Sequence, residues 1–339
     1  MKVNAWRPTT GALAAAAVLH LVLVAVPARS GPDPQAVAPE AATPAVIAPP
    51  IIAPPTIEEV QVSAPEPRYV SPTLRDRIGR IWAPVYIDGK GPLRLVLDTG
   101  ASRSALTRSA VARLDLPVDP DRTVLLRGTT GSARVPIVRA RKVEIGDLLA
   151  ERQTLVVVED AFGGADGVLA TTLLEDRRIL ADFRRDRIEI ARSKGRAAPP
   201  GFTVLPIKLL ERHVPWVEAT VGGVRVKAII DTGSQQTMGT PALRAALLVR
   251  RRESGGRDEG VIGVTGDVQS GHSVASPAIR LGNISVRDAR INFSDLHIFE
   301  RWRLRDQPAI LVGMDVLGVL DTLIIDYHRR EAQIRLVER

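Results

Sequence analysis

Two stretches of the chain alternate apolar and polar residues, then run apolar into an aspartate. The first, APVYIDGKGPLRLVLDTGAS, spans residues 83–102, and the second, VPWVEATVGGVRVKAIIDTGSQ, spans residues 214–235. Period-two alternation rich in Val, Ile and Leu predicts half-buried strands, and the Gly-bearing break inside each stretch predicts a hairpin. The parallel continues downstream. GTTG at 128–131 answers GVTG at 263–266, VEIGD at 143–147 answers IRLGN at 279–283, and VLA at 168–170 answers LVG at 311–313. Each copy closes on strands around ADFRRDRIEI, 181–190, and IDYHRREAQIRL, 325–336. The chain is therefore an internal duplication of a mainly β unit. Short helices are expected at TPALRAALL, 240–248, and after the two small-residue triplets, while VRRRESGGRDEG, 249–260, reads as a solvated hairpin loop or a processing site.

Outside the repeats the pattern changes. Lys2 and Arg7 precede an apolar run at 11–28, followed by small residues with Val26-Pro27-Ala28 at a cleavage-like position. This segment, 1–30, reads as a signal peptide or an N-terminal anchor, and either implies export to the periplasm or beyond, with a membrane tether in the second case. Residues 31–72 are Pro- and Ala-rich, too rich in proline for helix or central strand, and form a linker or a propeptide. ARSKGRAAPPG at 191–201 is a second break. The expected lobes are thus 73–193 and 203–339, joined by 194–202.

Composition excludes several functions. A net charge of +8 invites nucleic acid, but only six of 46 basic residues are Lys, the Arg are scattered among acids, and aromatics make up 4%. There is no stacking platform beside a basic groove, so no nucleic-acid partner is expected. With no cysteine there are no disulfides and no thiolate chemistry. His20, His213, His272, His297 and His328 show no metal spacing, and the last four read as surface or loop residues. No serine sits in a nucleophile elbow. Neither metal nor cofactor is expected, and the protein is expected to be a monomer.

What remains is Asp98-Thr99-Gly100 and Asp231-Thr232-Gly233. One Asp-Thr-Gly is accounted for by a strand-end turn. Two at matching places of a repeat are not, because a given tripeptide arises about once in several thousand positions. Two carboxylates brought together share one proton, so one partner can take a proton from water while the other donates to a carbonyl. Gly100 and Gly233 permit close backbone approach, and the Thr99 and Thr232 hydroxyls can bond across the base.

These residues resemble the aspartic proteases. Two Asp-Thr-Gly loops, apolar strands into each, a Gly-bearing hairpin after each and a hydrophobic-hydrophobic-Gly motif carry the resemblance, over roughly residues 81–336. The lobes are short, as in retropepsin-like bacterial members, but fused in tandem as in pepsin. The resemblance implies a bilobal acid-protease fold of two retropepsin-like β-barrel lobes, with the active site between them. It implies Asp98 and Asp231 as the catalytic dyad, Thr99 and Thr232 as an interlocking grip, and Ala101 and Ser234 as the next loop residues. Gly128, Thr129, Thr130 and Gly131, up to Ser132, would form a flap tip, with Gly263, Val264, Thr265 and Gly266, up to Asp267, as its counterpart. The first lobe departs by carrying Ala170 and Thr172 where the second has Gly313 and Asp315.

The expected function is an aspartic endopeptidase acting on a peptide or protein, best at mildly acidic pH. The alternative is a peptide-binding pseudoprotease of the same fold. A two-carboxylate glycosidase needs the groups further apart than facing loops would hold them. The hydroxyl of Ser234, absent at Ala101, is expected to donate to Asp231 and keep it charged, leaving the proton on Asp98.

Overall fold

The computed structural model describes residues 81–337, apart from 147, 161, 162, 175, 186, 250–253 and 266. The leader, the Pro/Ala-rich stretch and the start of the expected first lobe lie outside the described residues, as does Gly266. Both alternating stretches are antiparallel hairpins, Trp82–Ile87 with Lys90–Asp98 and Val214–Val221 with Val224–Ile230. Their turns, Asp88-Gly89 and Gly222-Gly223, have positive φ at both positions, the hand that matches strand twist.

In the first lobe, seven strands form one sheet that closes when Tyr86 and Ile87 pair with Glu144 and Val143. The result is a closed six-stranded barrel with Asp119–Arg127 as the free arm of a long hairpin. Alternation explains which way each strand faces. Ala83, Val85, Leu93, Leu95 and Leu97 enter the main core, whereas Trp82 and Val96 pack in a separate cluster on the opposite face.

The second lobe repeats this neighbour order in a ten-stranded sheet, with one break. The single strand Ser132–Ile145 is replaced there by two, Val268–Ala275 and Ile279–Leu281. Pro277 lies between them and has no N–H to continue a ladder. The architecture is mainly β and bilobal, as expected. A third sheet of five strands joins the two halves, because Arg177–Asp182 pairs antiparallel with Thr322–Asp326. The main apolar core runs from one lobe through this shared sheet into the other.

The helices are α1 (Arg108–Leu114), α2 (Pro241–Val249), α3 (His297–Arg301) and α4 (Met314–Leu317). α2 lies where expected, with the Thr240 hydroxyl accepting from Leu243 N at 3.2 Å. α4 and a 3-10 turn, Thr171–Leu173, follow the two triplets, also as expected. α1 and α3 were not expected. α1 is seven residues long, too short for a clear helical period, yet it buries Ala110, Val111 and Leu114 behind a Thr107 cap. The supposed loop at 249–260 needs correction as well. Ser254–Ile262 is a strand paired with Val268–Ala275, so the polar run is one arm of a hairpin with most of its described side chains exposed.

Candidate active site

Asp98 ends the strand Lys90–Asp98, and Asp231 directly follows Val224–Ile230. Each strand lies parallel to the triplet strand of its own repeat, with Asp98 opposite Ala170 and Ile230 opposite Val312. Past the aspartate each chain turns sharply, and the carboxylate caps the turn. Asp98 Oδ1 accepts from Gly100 N at 2.8 Å and Ala101 N at 2.9 Å, and Asp231 Oδ1 from Gly233 N at 2.9 Å and Ser234 N at 3.2 Å. Local capping is thus real, but it is not the whole reason for the motif.

The two turns face each other. A Cβ on Gly233 would stand 2.2 Å from Asp98 Cγ, and one on Gly100 would stand 2.7 Å from Asp231 Oδ2. Only glycine lets each backbone come so close to the opposing carboxyl. Beneath them the threonines cross. Thr99 Oγ1 donates to Ile230 O and Thr232 Oγ1 donates to Leu97 O, both at 2.6 Å. Each hydroxyl also accepts from the other residue's amide, at 3.1 Å and 3.2 Å. Both threonines are buried, so these four bonds between lobes lie out of competition with water.

Burial pushes the Asp231 carboxyl well above the usual carboxylate range. The charge of Asp98 and a hydrogen bond between the two side chains add to the rise, against the amides of Gly233 and Ser234. The hydrogen bond expected to keep Asp231 charged is not made. The Ser234 hydroxyl donates to Gln236 O at 2.8 Å rather than to the carboxylate, which receives only the Ser234 amide.

The departures in the first lobe have a structural counterpart. In the second lobe Gly313 N donates to Thr237 Oγ1 at 3.1 Å, and in the first Ala170 N donates to Ser104 Oγ at 3.0 Å. The Asp315 carboxylate additionally accepts from Thr237 N at 2.9 Å and Thr237 Oγ1 at 2.7 Å. In the first lobe, Thr171 and Thr172 hydroxyls donate to Ala101 O at 2.9 Å and Ser102 O at 3.1 Å instead. Each active-site loop is pinned, by a carboxylate on one side and by hydroxyls on the other.

The predicted flap residues are the tips of two long hairpins. Gly128, Thr129, Thr130 and Gly131 join Asp119–Arg127 to Ser132–Ile145, and the turn after Ile262 holds Gly263, Val264 and Thr265. The tips meet, with Thr130 Oγ1 of flap 1 donating to Asp267 O of flap 2 at 2.9 Å, and within flap 2 Thr265 Oγ1 donates to the Asp267 carboxylate at 2.8 Å. Flap 1 is also held by α3 of the second lobe. Ile298 N, in α3, donates to Thr129 O at 3.3 Å, and His297 Nε2 lies 3.0 Å from Ser132 Oγ.

The aspartyl protease family profile matches residues 83–174 and 217–316, one match on each repeat. The chain belongs to this family. The matched segments contain both aspartate turns and both flaps, so the retropepsin-like unit of this family is present twice, in tandem. Among curated proteins, none matches the chain. Among the described residues, no cluster of three or more His, Asp or Glu is placed to hold a metal, and no helix is long and apolar enough to cross a membrane.

Sequence reasoning missed the latch at His297 and Ile298, because α3 lies in a stretch for which the first repeat has no helical counterpart. It also missed a two-fold pair. Trp82 sits opposite Val96 and Trp216 opposite Ile229, each facing the residue two before its aspartate. Arg94 lies 4.5 Å from the Trp82 ring and Lys227 5.5 Å from the Trp216 ring, two further equivalent positions. Aligning the repeats on their hairpin turns, Asp88 and Gly222, rather than on the aspartates, would have exposed the tryptophans.

Proposed function

We propose that the protein is an aspartic endopeptidase that hydrolyses peptide bonds between its two lobes. The observation that carries this reading is the pair of facing aspartate turns, one from each repeat, each glycine packed against the opposing carboxyl above the crossed threonines. Asp98, with the charge, takes a proton from water as its oxygen bonds to the peptide carbon. Asp231, with the proton, donates to the carbonyl oxygen. Collapse of the tetrahedral species then breaks the C–N bond as the amine takes a proton. One shared proton is required, so activity is highest at mildly acidic pH and falls once both carboxyls ionise. The flaps cover the cleft and exclude bulk water.

The test is a mixed peptide library across pH, with the parent protein, Asp98→Asn and Asp231→Asn, with and without a statine-type inhibitor. Turnover by the parent alone, blocked by the inhibitor, is expected. An Asn variant cleaving at the parental rate removes the dyad, and parental binding without turnover makes the protein a peptide-binding module. Since one chain supplies both aspartates, the active form is proposed to be a monomer. The basic start and the apolar run at 11–28 support export, and recovery of the full chain from the cytosol would refute it.

A further inference from the structure

Under flap 1 the apolar cluster around Trp82 has a composition different from the main core. Trp82, Val96, Val156, Val158 and Val168 form its buried base. Around them pack Ala101, next to the first aspartate turn, Val124, Leu126, Val135 and Ile137 of flap 1, and Val264 of the flap 2 tip. These six remain partly exposed. They are the apolar wall between the aspartates and the flaps on the side of the first lobe. Within this wall Trp82 is 5% exposed, and its indole N–H is buried without a hydrogen-bond partner. A buried donor left unpaired is costly, and the hydrophobic residues clustered with it cannot accept through their side chains.

The second lobe does not present the same surface. There the equivalent face is packed by Leu296, Phe299, Trp302 and Leu304, from α3 and its flanks. Trp216 is half-buried beside them, with Lys208 and Lys227 at 5.1 Å and 5.5 Å from its ring. That face is covered by the protein's own side chains.

Resting on the reading of the cleft as a peptide site, we propose that the wall under flap 1 is the selecting pocket. It takes a long side chain with an apolar stem and a terminal neutral acceptor, glutamine before its near-isostere methionine, and Trp82 N–H supplies the discriminating bond. Four of the wall residues belong to flap 1, so lifting the flap to admit a peptide uncovers the cluster. The entering stem replaces the flap's apolar contacts, and its carbonyl oxygen gives the indole the acceptor it lacks. A site with a buried donor rejects a ligand without an acceptor, because binding then leaves the donor unpaired.

The experiment uses peptide sets that carry Gln or Met at each position in turn around the scissile bond. The Gln-to-Met ratio of kcat/KM is compared between parent and Trp82→Phe, which keeps a ring and removes the N–H. At one position the ratio is expected to fall about tenfold in the variant, the effect of one neutral hydrogen bond. The same ratio is measured for dissociation constants in the Asp98→Asn background. A ratio that shifts in binding while the parent shows no turnover upholds this inference and removes the endopeptidase. A ratio unchanged at every position overturns the inference even if cleavage is robust. Should Trp82→Phe fail to fold, the indole N–H resonance of Trp82 in Asp98→Asn decides. It moves downfield with the Gln peptide and not with the Met peptide, and equal responses overturn the proposal.

Discussion

Replacing Thr232 with Val keeps the size and branching of the side chain and removes one oxygen. That oxygen donates to Leu97 O at 2.6 Å and accepts from Thr99 N at 3.2 Å, so the substitution strands a carbonyl and an amide. Thr232 is 1% exposed and Leu97 and Thr99 are 1% and 0%, so water cannot reach the stranded groups unless the lobes part. At about 1–3 kcal/mol for each unsatisfied buried group, the loss is about 2–6 kcal/mol. That is a large share of the stability of a typical domain. Thr232→Ser keeps both bonds and loses a methyl group, for about 1 kcal/mol. Thr99→Val strands Ile230 O and Thr232 N in the same way, so the two valine variants are expected to cost alike. Urea denaturation of parent, both Val variants and both Ser variants measures this directly, and peptide turnover should fall with the Val variants because the grip aligns the aspartates. A valine variant as stable as its serine counterpart would refute the reasoning, since the difference between them isolates the crossed hydrogen bonds.

Burial raises both Asp231, next to the charge of Asp98, and Asp315, against the bonds from Thr237. A raised native value means tighter proton binding when folded, so this stabilisation is complete below the unfolded range and is lost as pH rises through the native values. The urea midpoint is therefore expected to fall as pH rises from the ordinary carboxylate range through the raised native values, with a weaker slope in Asp231→Asn; an equal slope would contradict it. Glu331, held low by its bond from Arg329, works the other way, and its contribution is lost only as pH falls through its depressed value. The buried Tyr327 hydroxyl has no hydrogen-bond partner among the described residues, so Tyr327→Phe should be neutral or stabilising by up to about 1 kcal/mol. A clear loss in its urea midpoint would reveal a role for that oxygen. His297→Ala removes the bond from α3 to Ser132, and should speed hydrogen exchange at the flap 1 tip and raise KM several-fold. Unchanged exchange would show that the Ile298–Thr129 bond and the partner flap hold the tip unaided.

The duplication, the β content and both aspartate turns were legible in the chain because each rests on local order. Alternation sets which face of a strand is buried, and Asp-Thr-Gly carries its own turn. Gly128 to Gly131 likewise announced a hairpin tip by sequence alone. Three things depended on what lies across space. Ser234 was misjudged because its hydroxyl has two acceptors within reach, and only the fold of the following loop decides for Gln236 O. The strand Ser254–Ile262 was taken for loop because its polar residues lack an apolar face; a partner strand, Val268–Ala275, supplies its order instead. α3 is five residues long, and what makes it helical is the burial of Phe299 between Leu296 and Trp302 against the second lobe's sheet. The sequence by itself determined that two equivalent aspartates end two equivalent strands. Only the tertiary structure decided that the lobes are unequal around them. The packing of α3 fills one face and latches one flap, while Trp82 is left with a buried N–H on the other, and packing of that kind has no period for a sequence to display.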